Sequence, residues 1–359
     1  MSNHFYSKLF CVQVLCAGFA VTTGCDAITP QDKSDGGVAE EEKPADALVT
    51  DDDNDNDNDN DNAQANTGST PQSGVVFVTL FTHIEDNTPP GPLGTPTNRQ
   101  AYDRLRTNLI EVASRAQALG LPFVLQPDWK ILEASLLYEE GTLLDSSNGK
   151  NLYRYLHEDL GVTIDPHAHE SGAYNYTDVA YLLEQLGVGG STVIGGHIWD
   201  PSLPQFQEWD RFRTPQPGSR FPEHLWRGDI LIGAGTPNHV NDPDVSGVWR
   251  PRDRDHFFED DPAGNIIAVG AWKDDVDGVS DLIALYESGT VPPSTLLTAY
   301  WNIPPAEYDL PGGPEAVSEK HFEPLLPLVE QGLVQVTDFQ HLVATWASDY
   351  DAQPGPYTP

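Results

Sequence analysis

The chain has 359 residues and a formal net charge of −36. So acidic a molecule repels a phosphate backbone rather than neutralising it, which excludes nucleic acid as an expected partner. All three cysteines, Cys11, Cys16 and Cys25, lie within the first 25 residues, so the rest of the chain has no disulfide, no thiol nucleophile and no thiolate for a metal. Any transition-metal site must therefore be built from nitrogen and oxygen.

Residues 1–25 read as an export signal, with Lys8 ahead of an apolar run from Leu9 to Val21 that is too short for a mature membrane span. The following Thr22-Thr23-Gly24-Cys25 resembles the bacterial lipoprotein signal, although Thr22 stands where that pattern has leucine. The resemblance implies lipidation of Cys25 and a place in the cell envelope, on the periplasmic side or the cell surface; plain secretion is the alternative. Contact with the membrane is then through the lipid alone. Residues 26–74 hold 14 Asp/Glu against 2 Lys and almost nothing large and apolar, including the Asp/Asn run at 51–62. That composition gives a disordered acidic tether rather than a folded unit. The run lacks the glycine turn and terminal Glu of a calcium loop.

From Val75 onward strands and helices alternate. The pattern predicts a strand at 75–81, then a helix at 99–119 with Leu105, Leu109, Val112 and Ala116 at helical spacing and Gly120 as its stop. A strand at 122–126 leads into Pro127-Asp128-Trp129 and a helical region through 152–160. A strand at 162–165, a helix at 176–186 and a strand at 191–194 follow. Residues 200–261 read as irregular except for a short strand at 230–233. Alternation returns with a strand at 266–270, a helix at 279–288, a strand at 295–300, a helix at 316–331, a strand at 334–336 and a helix at 339–346. About seven strand–helix units over 75–350, with a tail at 351–359, predict a parallel α/β barrel, complete or seven-stranded. A doubly wound open sheet is the alternative, although no G-x-G-x-x-G follows a strand.

In such barrels chemistry gathers where strands end. His83 and Glu85 follow the first strand, His167 and His169 the third, and His197 the fourth. Residues two apart in a strand share a side, so each pair points the same way. Singly, each histidine is better explained as a satisfied core or surface side chain. Together, two histidines and a carboxylate leave one coordination position for water, the arrangement of a catalytic zinc site. A divalent metal, zinc in the first instance, would acidify that water and polarise a carbonyl.

Phe81-Thr82-His83-Ile84-Glu85-Asp86 and Asp165-Pro166-His167-Ala168-His169-Glu170, in a chain read as a barrel, resemble the polysaccharide deacetylase (NodB-like) superfamily. The resemblance implies Glu85, His167 and His169 as metal ligands, and it puts the family's catalytic base at His83, which would act as base or fourth ligand. The histidine pair departs from the family in spacing, His-x-His instead of His-x-x-x-His. Arg250-Pro251 resembles the family's Arg-Pro motif, giving Arg250 a role in holding an anionic intermediate, with an ion pair in an acidic protein as the alternative.

Asp86, Asp165 and Glu170 flank these groups and are expected either as acceptors orienting the imidazoles or as solvated carboxylates. His239 is a candidate general acid. Trp129, Trp199, Trp272 and Trp301 fall at or after strand ends, where aromatic faces suit sugar rings or ordinary packing. His157, His321 and His341 lie in predicted helices and read as structural. No G-x-S-x-G, H-E-x-x-H or phosphate-cradling G-x-x-x-x-G-K occurs. The reading is an exported, lipid-anchored, metal-dependent hydrolase of an acylated or glycosidic carbohydrate. A glycan-binding lipoprotein without catalysis and an amidohydrolase-like metal hydrolase are the alternatives.

Overall fold

The computed structural model describes residues 74–196, 204–232, 244–272 and 275–357. The chain runs β1 (Val76–Ile84), α1 (Pro96–Ala118), β2 (Val124–Pro127), α2 (Trp129–Tyr138), α3 (Leu152–Glu158), β3 (Thr163–Ile164), α4 (Tyr176–Gln185), β4 (Val193–Ile194), β5 (Ile230–Ile232), β6 (Val248–Trp249), β7 (Ile267–Val269), α5 (Val276–Glu287), β8 (Leu297–Asn302), β9 (Val334–Val336) and α6 (Phe339–Asp349). Short 3-10 and helical turns and a small hairpin, Gln216–Pro217 with Leu225–Trp226, fill the connections. No described helix is long and apolar enough to cross a membrane.

One parallel sheet has the order β8-β1-β2-β3, and β9 lies beside the start of β1 at Val76–Val78. A second sheet places β4, β5 and β7 parallel, with β6 antiparallel on β7. The ladders do not close into the expected barrel. Between β3 and β4 there is a single bridge, His167 with Gly195. On the other side, the Thr298 hydroxyl on β8 donates to Gly270 O at 2.7 Å and accepts from Gly247 N at 2.7 Å, a side chain standing where a strand ladder would run. The architecture is thus mixed α/β around parallel sheet.

Alternation along the strands sorts the core into two faces. Val76, Val78, Leu80 and Ile84 join a buried cluster with Tyr102, Leu105, Leu109 and Val112 of α1. Phe77 and Phe81 join Val124, Val193, Ile230, Val269 and Tyr300 in another, which Phe339, Leu342 and Trp346 of α6 complete. Each such side chain contributes about 1.5–3 kcal/mol of burial. Strands buried on both faces explain why the sequence shows near-continuous apolar runs here. His83 and Glu85 continue the Phe77–Phe81 face.

Several boundaries differ from expectation for local reasons. The first strand runs three residues past 81, so His83 stands within it. Helix α1 begins at Pro96, because Thr95 caps it by accepting from Asn98 N and Pro96 suits the first turn. The helix expected at 316–331 is broken into Gly313–Val317, a π-turn at Ser318–Phe322, a 3-10 turn at Glu323–Leu325 and Leu326–Glu330. Pro324 and Pro327 cannot donate to the preceding turn and so interrupt it. The middle of the chain also carries β6 and the hairpin, both too short to register as periodic runs.

Candidate metal centre

Glu85 follows the last residue of β1, while His167 and His169 occupy the segment leaving β3. That segment is tied on both sides: His167 N donates to Pro127 O and Ala168 N to Gly195 O, each at 3.3 Å. Extended backbone there sends both imidazoles toward Glu85. Its Oε2 lies 2.8 Å from His169 Nε2 and 3.8 Å from His167 Nε2, and the two nitrogens are 3.1 Å apart. The other oxygen, Oε1, lies 2.9 Å from His83 Nε2. The His83 ring lies parallel to that of His167, with centroids 4.9 Å apart and planes at 7°.

Two glycines make room for this arrangement. A Cβ on Gly195 would fall 2.6 Å from Pro166 O, and one on Gly196 would fall 2.4 Å from His167 Cε1. Gly196 also adopts φ +77°, a region side chains disfavour. The His167 side chain is only 3% exposed, whereas Glu85 and His169 are 40% and 38% exposed, so the centre is anchored on one side and open on the other.

Burial pushes the Glu85 carboxyl upward, but hydrogen bonds from His167, His169 and His83 outweigh it and hold the group well below the usual carboxylate range. Burial drives the His167 imidazole down to about 4 against the pull of Glu85. His169 moves the other way, raised chiefly by its hydrogen bond to Glu85. A neutral, buried imidazole beside an ionised carboxylate is the protonation state a cation requires of its ligands.

Asp128 is the functional neighbour that motif reading did not single out. Its Oδ1 caps α2 by accepting from Trp129 N, and its Oδ2 accepts from His169 N at 3.3 Å. Burial pushes this carboxyl up to about 7, opposed by those two N–H groups. The signal was available: Asp128 continues the inner-face alternation of Val124 and Gln126.

The remaining expected residues separate. Asp86 accepts from Ser171 Oγ, next to the histidine segment. Asp165 is fully buried and accepts from Ser191 Oγ at 2.6 Å, so it orients no imidazole. His167 Nδ1 is buried with no partner among the described residues. Glu170 faces away from the pair and binds Arg211 at 2.6 Å. Arg250 is committed elsewhere, to Asp260 through Nε (3.0 Å) and Nη2 (2.8 Å) and over the Trp346 ring, so its expected role as an anion holder gains nothing. Trp272 and Trp301 are buried, Trp301 edge-on to His321, and neither offers a face to a sugar. His321 itself binds Glu307 at 2.7 Å. Trp129 stays partly exposed and stacks on Tyr174 at 4.5 Å and 4°. His197, Trp199, His239 and Cys25 lie outside the described residues.

The donor set fits a small divalent cation. Zinc bonds of about 2.0–2.1 Å in a tetrahedron put ligand atoms roughly 3.3 Å apart. The three separations here, 2.8, 3.1 and 3.8 Å, bracket that edge. Among the described residues, Glu85, His167 and His169 are the group whose ligand atoms all lie within 4.8 Å of one another.

The sequence matches no protein-family model, and comparison with curated proteins finds no match. Among solved structures the chain is similar to a 4-alpha-glucanotransferase from Thermococcus litoralis, with 12% identity and a TM-score of 0.43 over 80% of this chain. It spans 42% of that protein's length. It is similar also to PuuE allantoinase, with 10% identity and a TM-score of 0.45 over 78% of this chain and 93% of the other. Both likenesses are loose.

Proposed function

We propose that this protein is a metal-dependent hydrolase, with Glu85, His167 and His169 holding a divalent cation, zinc in the first instance. The convergence of the three ligand atoms at the ends of β1 and β3 is the observation that carries the reading. When bound, such a cation brings the acidity of a water near neutral pH and polarises a carbonyl. The protein's own groups do the rest. Glu85 supplies the negative charge, and the buried His167 is held neutral and fixed in orientation. His169 and Glu85 border the open side, where substrate would approach, and Asp128 pins the His169 backbone. The parallel strand order and the two seams support a deacetylase-like scaffold without a closed ladder.

The substrate class proposed is an acylated carbohydrate, with Trp129 as the aromatic wall nearest Asp128. An amidohydrolase-like reaction at a cyclic amide uses the same cation chemistry and is the alternative enzyme reading. Export and lipid anchoring at Cys25 belong to the same proposal, as does action on glycans of the cell envelope. The test is turnover of acetylated sugar oligomers, and of cyclic amides in parallel, by zinc-loaded wild type and His169→Ala. Activity in the wild type that falls at least a hundredfold in the variant supports the enzyme. Equal inactivity of both on every substrate, with glycan binding intact, would leave a binding protein in its place.

A further inference from the structure

The His83 side chain stands beside the centre without belonging to it. Its Nε2 is engaged by Glu85 Oε1 at 2.9 Å, whereas the ligand atoms of His167 and His169 face the opposite oxygen, Oε2. Glu85 thus has its two oxygens assigned to different tasks. The imidazole that makes this assignment has little freedom: it lies flat against His167 at 4.9 Å and 7°, and the Phe81 ring is 6.0 Å away on the same strand face. His83 also lies outside the group of three mutually close ligand atoms.

We infer that His83 is a positioning residue that donates to Glu85 Oε1 and so presents Oε2 alone to the cation, and that it is not a fourth ligand. This rests on the metal reading above. The chemical reason is general. A carboxylate ligand with both oxygens free swings between one- and two-oxygen coordination, and a hydrogen bond to one oxygen fixes the choice. Strand parity explains the placement: His83 and Glu85 are two apart on one extended strand, so the donor is delivered by the same backbone that delivers the ligand.

Glutamine and alanine at position 83 separate the possibilities. The glutamine amide nitrogen is as many bonds from the backbone as imidazole Nε2, and it donates but does not ligate a cation well. Zinc affinity of the full chain is measured by chelator competition for wild type, His83→Ala and His83→Gln, with thermal melts to establish that each variant is folded. We expect His83→Ala to lose about 10–100-fold in zinc affinity, the range seen when groups supporting a metal ligand are removed. His83→Gln should recover most of that loss, and its cobalt(II)-loaded absorption spectrum should match that of the wild type, because the ligand set is unchanged. Full affinity in a folded His83→Ala would overturn the inference and leave the metal reading standing. So would a cobalt spectrum in His83→Gln that reports a lost nitrogen ligand. Absence of zinc binding in the wild type would overturn both.

Discussion

Alanine at Gly196 tests the centre from outside its ligand set. The added Cβ would fall 2.4 Å from His167 Cε1, 2.7 Å from Nδ1 and 2.8 Å from Nε2, where ordinary contact is about 3.5–4 Å. Either the imidazole retreats by roughly 1 Å or the loop moves. Metal ligation tolerates displacements of about 0.2 Å, so zinc affinity should fall at least about tenfold. The backbone at φ +77° adds about 1–2 kcal/mol of strain. Overpacking adds about 1–3 kcal/mol. The combined loss of roughly 2–5 kcal/mol corresponds to a fall of about 3–8 °C in Tm for a domain of this size. Gly161→Ala is the control, because φ there is +70° and nothing lies within 4 Å of the added atom. It should show only the backbone strain, about 1–2 kcal/mol, and bind zinc normally. Calorimetric melting and chelator competition read both quantities. Normal zinc affinity in Gly196→Ala, or equal melting of the two variants, would refute the claim that this glycine exists to admit the His167 ring.

Away from the centre, Arg106 and Glu139 form an ion pair in which each side chain is 4% exposed, and Tyr102 OH donates to the same Glu139 oxygen. Glu139→Leu strands the guanidinium, so urea unfolding should show a loss of about 3–5 kcal/mol. Arg106→Met added to it should recover much of that; an additive double variant would contradict the pairing. Asp165→Asn probes the buried carboxyl, pushed up to about 7 from 3.8 chiefly by burial. A group whose folded value is raised keeps its proton in the folded state, so its favourable contribution is complete below pH 3.8 and is lost as pH rises to 7. In metal-free protein the variant should match wild type near pH 4 and exceed it above pH 7, by at most about 4 kcal/mol. A pH-independent difference would show that Asp165 does not carry this titration.

Alternation made the centre legible because a strand's inner face is fixed by parity, not by its boundaries. His83 and Glu85 share the face of Phe77 and Phe81 however far β1 extends, and the same rule pairs His167 with His169. The tryptophans obey the same rule. Trp301 is in register with Leu80, an outward residue, and Trp272 is two beyond Gly270 on the face of Ala268. Both therefore enter the outer core, and position after a strand end says nothing about facing a cleft. Glu170 leaves the extended backbone at φ +53° and turns to Arg211. The break of the helix at 316–331 was written in Pro324 and Pro327. The seam at Thr298, by contrast, depends on residues about 50 apart in sequence meeting through the hydroxyls of Ser246 and Thr298, and no local pattern encodes that.

The inner face is layered, and the layering accounts for the protonation states at the centre. Phe77, Phe81, Val124 and Val193 with Phe339, Leu342 and Trp346 of α6 make an apolar floor. Above it Gln126 and Asp165 are wholly buried, and His167 nearly so. Glu85 and His169 reach the open side. A charge is least tolerable near the floor and most tolerable at the mouth. Asp165 accordingly keeps its proton to about pH 7 and His167 sheds its proton down to about pH 4, while ionised Glu85 sits where water and three imidazole nitrogens can meet it. Depth along the inner face of the sheet therefore decides which of these groups is neutral. A cation drawn to the centre meets the ionised Glu85 at the mouth, backed by a neutral imidazole that the buried strands keep from turning away.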